Sequence, residues 1–374
     1  MRYVVLALAL ALLSVTPLTA AAADCARTTS GLVPLPELGT GTYKGTQGGL
    51  YPGGANTPPA AYAAEGRRAA SEIVARAPSG LADAAGKVVL LSIGMSNTTQ
   101  EFAAFVRVAQ ADAVRDANVV VVDGAQGGQD ARDWSDPKHA TWGQVDNRLK
   151  KAGVTAAQVQ AVWLKQAIAR PGGDFPTSSA QLETALAKII ENAKARYPNL
   201  AQVFVSPRTY AGYAVTDLNP EPYAYETGFA VKRLVERSVR EPSARPWIGW
   251  GPYLWADGTK ARADGLTWAC SDVQNDGVHP GPTGEAKVAQ QLQAFFNGSE
   301  FTTWYRGEPS GAGSEPARAT TPPVADAVAA ATQAAVVAAN EPMRWMWFGA
   351  GVALLLIGLA AMLTLRRRRR SSWS

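Results

Sequence analysis

Two short segments of this chain hold residue types that can do covalent chemistry. Ser96 sits in Gly94-Met95-Ser96-Asn97, at the end of the apolar run Val88-Val89-Leu90-Leu91-Ser92-Ile93. His279 sits in Asp276-Gly277-Val278-His279-Pro280. A strand that turns sharply into a helix exposes a serine hydroxyl and leaves backbone N–H groups at the helix start, where the peptide dipoles favour developing negative charge. Asp276, three residues before His279, can accept the proton of one imidazole nitrogen while the other nitrogen faces the serine. The three side chains form a Ser-His-Asp inventory, and its chemistry is acyl transfer through a serine nucleophile. The competing role for Ser96 is a simple helix cap; the acid–base pair downstream favours the nucleophile. A metal site built on Asp276 and His279 lacks further ligands, because the only other histidine is His139 and the two cysteines are expected to pair. No metal and no cofactor are expected. His139, in Asp136-Pro137-Lys138-His139, reads as a solvated loop histidine.

Residues so far apart in sequence need a scaffold. The chain has 374 residues, 47% hydrophobic and 18% charged, enough for one full-sized core with appendages. Buried-strand runs are predicted at Val88–Ile93, Val119–Val122, Val159–Leu164 and Ala201–Val205. Helical patterns fall at Thr99–Ala113, Ser179–Arg196, Tyr223–Val239 and Thr283–Phe296. Strands alternating with helices imply a mostly parallel sheet covered on both faces, with binding groups outside the carboxyl ends of the strands, where Ser96 falls. Residues 24–85, rich in Gly, Pro and Tyr with one helix near Ala60 to Arg76, read as an ordered arm wrapped on the 86–305 body.

Both ends carry topological signals. Met1-Arg2, the apolar Val4 to Leu13 and Ala21-Ala22-Ala23 have the charge, apolar stretch and small-residue cleavage site of a secretory signal over 1–23. Residues 306–343 shift to Ala, Pro, Gly, Ser and Thr and read as a tether. A membrane helix is expected over 344–365, where Trp345 to Leu365 is an uncharged run of 21 residues, and a rise of ~1.5 Å per residue crosses a hydrocarbon core of ~30 Å. The arginines Arg366 to Arg370 hold the 366–374 tail in the cytoplasm, and the body then faces outward. The formal charge of +5 suggests a nucleic-acid binder, but it is carried by those five arginines and the remainder is neutral. No nucleic-acid partner is expected. On the exported side Cys25 and Cys270 are expected to form a disulfide. The reading of Cys25 as a lipid-attachment residue meets Asp24 where a small residue is wanted.

These motifs resemble the SGNH hydrolases, the GDSL-like esterases and lipases, over roughly residues 86 to 298. The first block corresponds to Gly94-Met95-Ser96-Asn97, with Met95 in place of the usual acidic residue, and the last to Asp276-Gly277-Val278-His279. The resemblance implies a three-layer αβα sandwich of flavodoxin-like order. It implies an oxyanion hole made by the Ser96 N–H, by Gly128 in Asp123-Gly124-Ala125-Gln126-Gly127-Gly128-Gln129-Asp130, and by a side-chain amide. Where the family has Gly-x-Asn-Asp, this chain has Trp163-Leu164-Lys165-Gln166-Ala167, so the amide would be that of Gln166. The glycines and Gln166 have equally ordinary structural readings, as a turn and as a loop-bonding amide.

The resulting expectation is an exported, membrane-anchored serine esterase acting on a small-molecule or glycan ester. An O-acyltransferase of the same fold and a non-catalytic surface-binding module are the alternatives. Trp247, Trp250, Tyr253, Trp255 and Trp268 cluster before the catalytic turn; they can stack on sugar rings or pack the core.

Overall fold

The structure, a computed structural model, describes residues 22–241 and 246–307. The signal segment through Ala21, the tether from residue 308, the helix expected over 344–365 and the basic tail lie outside the described residues. Among the described residues no helix is long and apolar enough to cross a membrane.

In chain order the elements are α1 (Leu35–Leu38), β1 (Thr42–Tyr43), β2 (Thr46–Gln47), α2 (Ala60–Ser71), β3 (Val88–Gly94), α3 (Ser96–Ala111), β4 (Val119–Val122), α4 (Ala131–Ser135), α5 (Ala140–Lys151), β5 (Val159–Lys165), α6 (Thr177–Arg196), β6 (Gln202–Val205), α7 (Tyr223–Arg240), β7 (Trp247–Trp250) and α8 (Pro282–Gly298). Strands β3 to β7 form one five-stranded sheet in the order β4-β3-β5-β6-β7, with every pairing parallel. The burial pattern follows from that order. Central strands β3 and β5 are buried at every residue, as continuous apolar runs between two helical layers must be, whereas edge strand β4 is half exposed at Val120 and Val121.

Chain direction reverses across the sheet between β3 and β5: the crossover through α3 leads outward to β4, and those through α6 and α7 lead the other way. Right-handed crossovers therefore place α3 on one face and α6 and α7 on the other. Contacts agree, with α3 packed on α8 and α6 packed on α7 and α4. This is the three-layer αβα sandwich with flavodoxin-like strand order, and its topological switch point lies outside the carboxyl ends of β3 and β5.

The fifth strand was not expected from sequence. Trp247-Ile248-Gly249-Trp250 is short and centred on a glycine, and it becomes a strand because the N-terminal segment closes over it. Trp247 Nε1 donates to the Tyr62 carbonyl at 3.2 Å, Tyr62 Oη donates to the Ile248 carbonyl at 2.7 Å, and Trp250 Nε1 donates to the Leu50 carbonyl at 2.8 Å. Further along the same segment, Asp257 accepts from the Ser30 N–H and hydroxyl and from the Gly31 N–H. The Cys25–Cys270 disulfide ties the start of the described chain to the segment that carries His279.

Candidate active site

Ser96 is the first residue of α3. Met95 before it is extended and caps the helix with no side-chain hydrogen bond. The serine hydroxyl does not cap the helix either: Ser96 Oγ lies 2.6 Å from His279 Nε2. As a residue of the first helical turn, Ser96 also carries one of the orphan N–H groups at the positive end of the helix.

His279 is held by a turn that the sequence dictates closely. Asp276 accepts the backbone N–H of Val278 and of His279 through Oδ1, each at 3.0 Å, and receives His279 Nδ1 on Oδ2. Gly277 has φ +69°, and a Cβ there would lie 1.9 Å from the Tyr213 carbonyl oxygen, so only glycine fits. Val273 bridges Pro280 and Gln274 N–H donates to the His279 carbonyl, closing the turn. Burial pushes the Asp276 carboxyl up, but the bonds from the His279 ring, the His279 N–H and the Val278 N–H outweigh it and hold it below the ordinary carboxylate range. Asp276 is therefore anionic wherever the imidazole needs a counter-charge.

The loop after β4 supplies the opposite wall. Asp123 accepts from the hydroxyls of Ser92 and Thr99, at 2.6 Å and 3.0 Å, and Arg148 holds the same carboxylate and the Ala125 carbonyl. These bonds pin the loop to β3 and α3 and put Gly128 in the same cavity wall as Ser96. Gly128 has φ +76°, while a Cβ there would meet nothing within 4 Å. Glycine is required for its backbone angle, not for close approach. Its N–H donates to no described residue.

At the end of β5 the sequence expectation meets a different arrangement. Gln166 is buried; its amide nitrogen donates to the Gln129 carbonyl at 3.4 Å, its oxygen accepts the Ala167 N–H, and it is not among the residues that line the cavity. The structure brings Ser96, Gly128, His279 and Asp276 to one place and leaves Gln166 behind the wall. Beside the nucleophile in that wall stands Asn97, which is 1% exposed, has a buried Oδ1 with no partner and makes no side-chain hydrogen bond to any described residue. Beneath it, Lys165 Nζ is bonded to both carboxylate oxygens of Glu101, at 2.8 Å and 2.7 Å, with both side chains fully buried. Burial pushes Lys165 down to about 8 and Glu101 up.

These groups surround a cavity of about 570 Å³ whose wall includes Ser96, Asn97, Gly128, Arg208 and His279. Asp130, which caps α4 and accepts the Ala169 N–H at 2.9 Å, joins the loops after β4 and β5 at its rim. Sequence reading missed Asn97 and Arg208; the one available signal was position, since both follow a strand directly on its carboxyl side. His139, expected in a solvated loop, instead caps α5, its ring accepting from the Thr141 N–H. The tryptophan cluster packs the core: Trp247, Trp250, Tyr253, Trp255 and Trp268 are at most 8% exposed, and none lines the cavity. No metal-binding cluster occurs among the described residues.

No family model and no curated protein matches this chain. It is similar to several solved structures at low identity. One is a Bacillus subtilis protein, 14% identical over 56% of this chain and 56% of that one, with a TM-score of 0.31. Another is the periplasmic domain of a Salmonella lipopolysaccharide acetyltransferase, 12% identical over 56% of this chain and 83% of that one, with a TM-score of 0.32. A third is an extracellular lipase from Streptomyces rimosus, 12% identical over 55% of this chain and 99% of that one, with a TM-score of 0.28. The chain spans little more than half the length of the first of these.

Proposed function

We propose that this protein is a serine esterase that hydrolyses acyl esters through an acyl-enzyme on Ser96. The observation that carries the reading is the 2.6 Å approach of Ser96 Oγ to His279 Nε2, with the ionised Asp276 on the far side of the same ring. The Asp276 bond to Nδ1 keeps the proton on that nitrogen, so Nε2 presents a lone pair to the hydroxyl. Nε2 takes the serine proton as Oγ attacks the ester carbonyl. The imidazolium that forms is stabilised by Asp276, and Nε2 returns the proton to the departing alkoxide. Water then repeats the cycle on the acyl-enzyme and releases the acid.

The oxyanion of each tetrahedral intermediate falls to the Ser96 N–H, at a helix start, and to the Gly128 N–H on the loop after β4, donors held in place before the reaction begins. The side-chain donor of this reading is the Asn97 amide, since the Gln166 amide is occupied by Gln129. The apolar stretch within 1–23 and the uncharged run from Trp345 to Leu365 support export and anchoring of the catalytic body outside the cytoplasmic membrane.

The test is hydrolysis of p-nitrophenyl acetate by the full chain in detergent, with Ser96→Ala beside it and mapping of the residue labelled by a fluorophosphonate. Loss of turnover in Ser96→Ala and labelling at Ser96 are expected. Undiminished turnover in that variant, or label on another residue, refutes the proposal.

A further inference from the structure

Arg208 is the most anomalous side chain in the protein. It stands at the carboxyl end of β6, is 2% exposed, and lies in the wall of the same cavity as Ser96 and His279. Its Nε and Nη2 are both buried without a hydrogen-bond partner, and no carboxylate of the described residues lies within ion-pair distance of it. A guanidinium cannot escape burial by losing its proton at any ordinary pH, and it carries five donors in a rigid fork.

The nearest acidic groups are all committed elsewhere. Glu101 is taken by Lys165. Glu221 accepts the Ala211 N–H, the Tyr225 N–H and Trp255 Nε1. Asp276 is taken by His279 and the backbone of its turn. All three carboxylates act on Arg208 through their field and none through contact. Carboxylates thus act on Arg208 from a distance while its donors stay unpaired, and what the guanidinium lacks is a pair of acceptor oxygens. The side open to an incoming molecule is the cavity.

We infer that Arg208 binds a carboxylate carried by the ester substrate, so that acidic esters are turned over in preference to neutral esters of the same size. The planar fork and the two carboxylate oxygens match bidentately, which a hydroxyl or an amide carbonyl does not. Arg208 is a specificity residue here: it holds the substrate beside Ser96 and takes no proton. The inference rests on the esterase reading of the cavity.

The carboxylate can be carried on the acyl side or on the alcohol side of the ester, and two probe pairs separate these. Mono-4-nitrophenyl glutarate against 4-nitrophenyl pentanoate tests the acyl side; 4-acetoxybenzoate against 4-acetoxybenzamide tests the alcohol side. With the full chain in detergent, kcat/KM for the acidic member of one pair is expected to exceed that of its neutral partner by at least about tenfold. Arg208→Met is expected to lower that ratio ten- to a hundredfold. Arg208→Lys, which keeps the charge but not the fork, should give a ratio between the two. Equal ratios in the wild type and in both variants overturn the inference and leave the guanidinium with solvent partners only.

If the variants do not fold, the wild type still decides. Free glutarate or benzoate should inhibit hydrolysis of the neutral ester competitively, and absence of inhibition overturns the inference. If no ester is turned over and Ser96 is not labelled, the esterase reading fails by itself. Calorimetry of glutarate or benzoate with the Ser96→Ala protein then tests Arg208 separately: binding that Arg208→Met abolishes supports it, and absence of binding overturns it.

Discussion

Replacing Asp276 by Asn tests the ring geometry without removing the nucleophile or the base. The carboxylate has two jobs that its oxygens divide between them. Oδ1 holds the N–H groups of Val278 and His279, each at 3.0 Å, and Oδ2 holds His279 Nδ1. An asparagine can keep the first job only by turning its NH2 toward Nδ1. That orientation forces the proton onto Nε2, which then donates toward Ser96 Oγ and cannot accept from it. The reverse orientation preserves the productive tautomer but gives up two backbone hydrogen bonds, at about 1 kcal/mol each. In either case the imidazolium loses a unit counter-charge, worth about 4 kcal/mol at ~4 Å near a protein surface.

These losses add to about 4–6 kcal/mol, or about a thousand- to thirty-thousand-fold in kcat at about 1.4 kcal/mol per decade. The turn itself should survive, because Gly277 and the Val273–Pro280 bridge are untouched. The assay is kcat for p-nitrophenyl acetate beside the thermal midpoint of each protein, with Ser96→Ala as the floor. A midpoint within a few degrees of wild type together with a fall in kcat of at least a thousandfold is expected. Activity within tenfold of wild type in a folded Asp276→Asn protein would refute the assignment of Asp276 as the partner of His279.

Further outcomes follow from other parts of the molecule. Gly277→Ala should cost more activity than its size suggests, since the new Cβ meets the Tyr213 carbonyl and moves the whole turn; kcat should fall at least a hundredfold, and an unchanged kcat would contradict the close approach. Gln166→Ala should change kcat less than tenfold and Asn97→Ala more than tenfold, read under identical conditions, because only Asn97 lies in the cavity wall. Reduction of Cys25–Cys270, or Cys25→Ser, opens a loop of sequence separation 245. A loop of that size is nominally worth about 5 kcal/mol in the chain-entropy picture, so a marked drop in denaturation midpoint is expected. The Asp276 carboxyl titrates lower in the folded than in the unfolded protein. It therefore contributes stability above its unfolded value near ~3.9, lost as pH falls through the folded value; the stability difference between wild type and Asp276→Asn should be flat above about pH 5 and shrink below pH 4.

How far the sequence could be read depended on how each element is held. Four strands lie within a residue or so of their apolar runs, because strands buried on both faces are mostly apolar and the edge strand β4 is itself four valines. β7 was invisible, since Trp247-Ile248-Gly249-Trp250 owes its strand to bonds its indoles donate to a segment about two hundred residues earlier. α4 and α5 were missed for a similar reason: α4 is five residues long and starts on an Asp130 capping box, and α5 starts on a histidine cap, neither with a long apolar stripe. Ser96, Asp276 and His279 were legible because their chemistry is local in sequence: a strand-to-helix turn and a three-residue spacing. Asn97 and Arg208 were not, because what distinguishes them is a missing partner, and only the folded chain shows which donors and acceptors remain unpaired.

The same logic explains why Gln166 sits where it does. The position before it is Lys165, at the carboxyl end of β5 and paired across the sheet with Gly94, two residues before the nucleophile. A lysine buried at that point is unsupportable without a counter-ion of its own. Glu101 supplies one from α3, the helix that begins at Ser96, and Thr98 Oγ1 adds a bond from the same helix to the Lys165 carbonyl at 2.8 Å. The end of β5 is thus fastened to the nucleophile's own helix through Lys165, and the next side chain is turned toward the Gln129 carbonyl. The amide donor that α3 itself offers to the cavity is Asn97, which follows Ser96. The lysine at 165 and the asparagine at 97 form one solution in which the nucleophile's helix carries both the counter-ion that buries the strand end and an amide in the cavity wall.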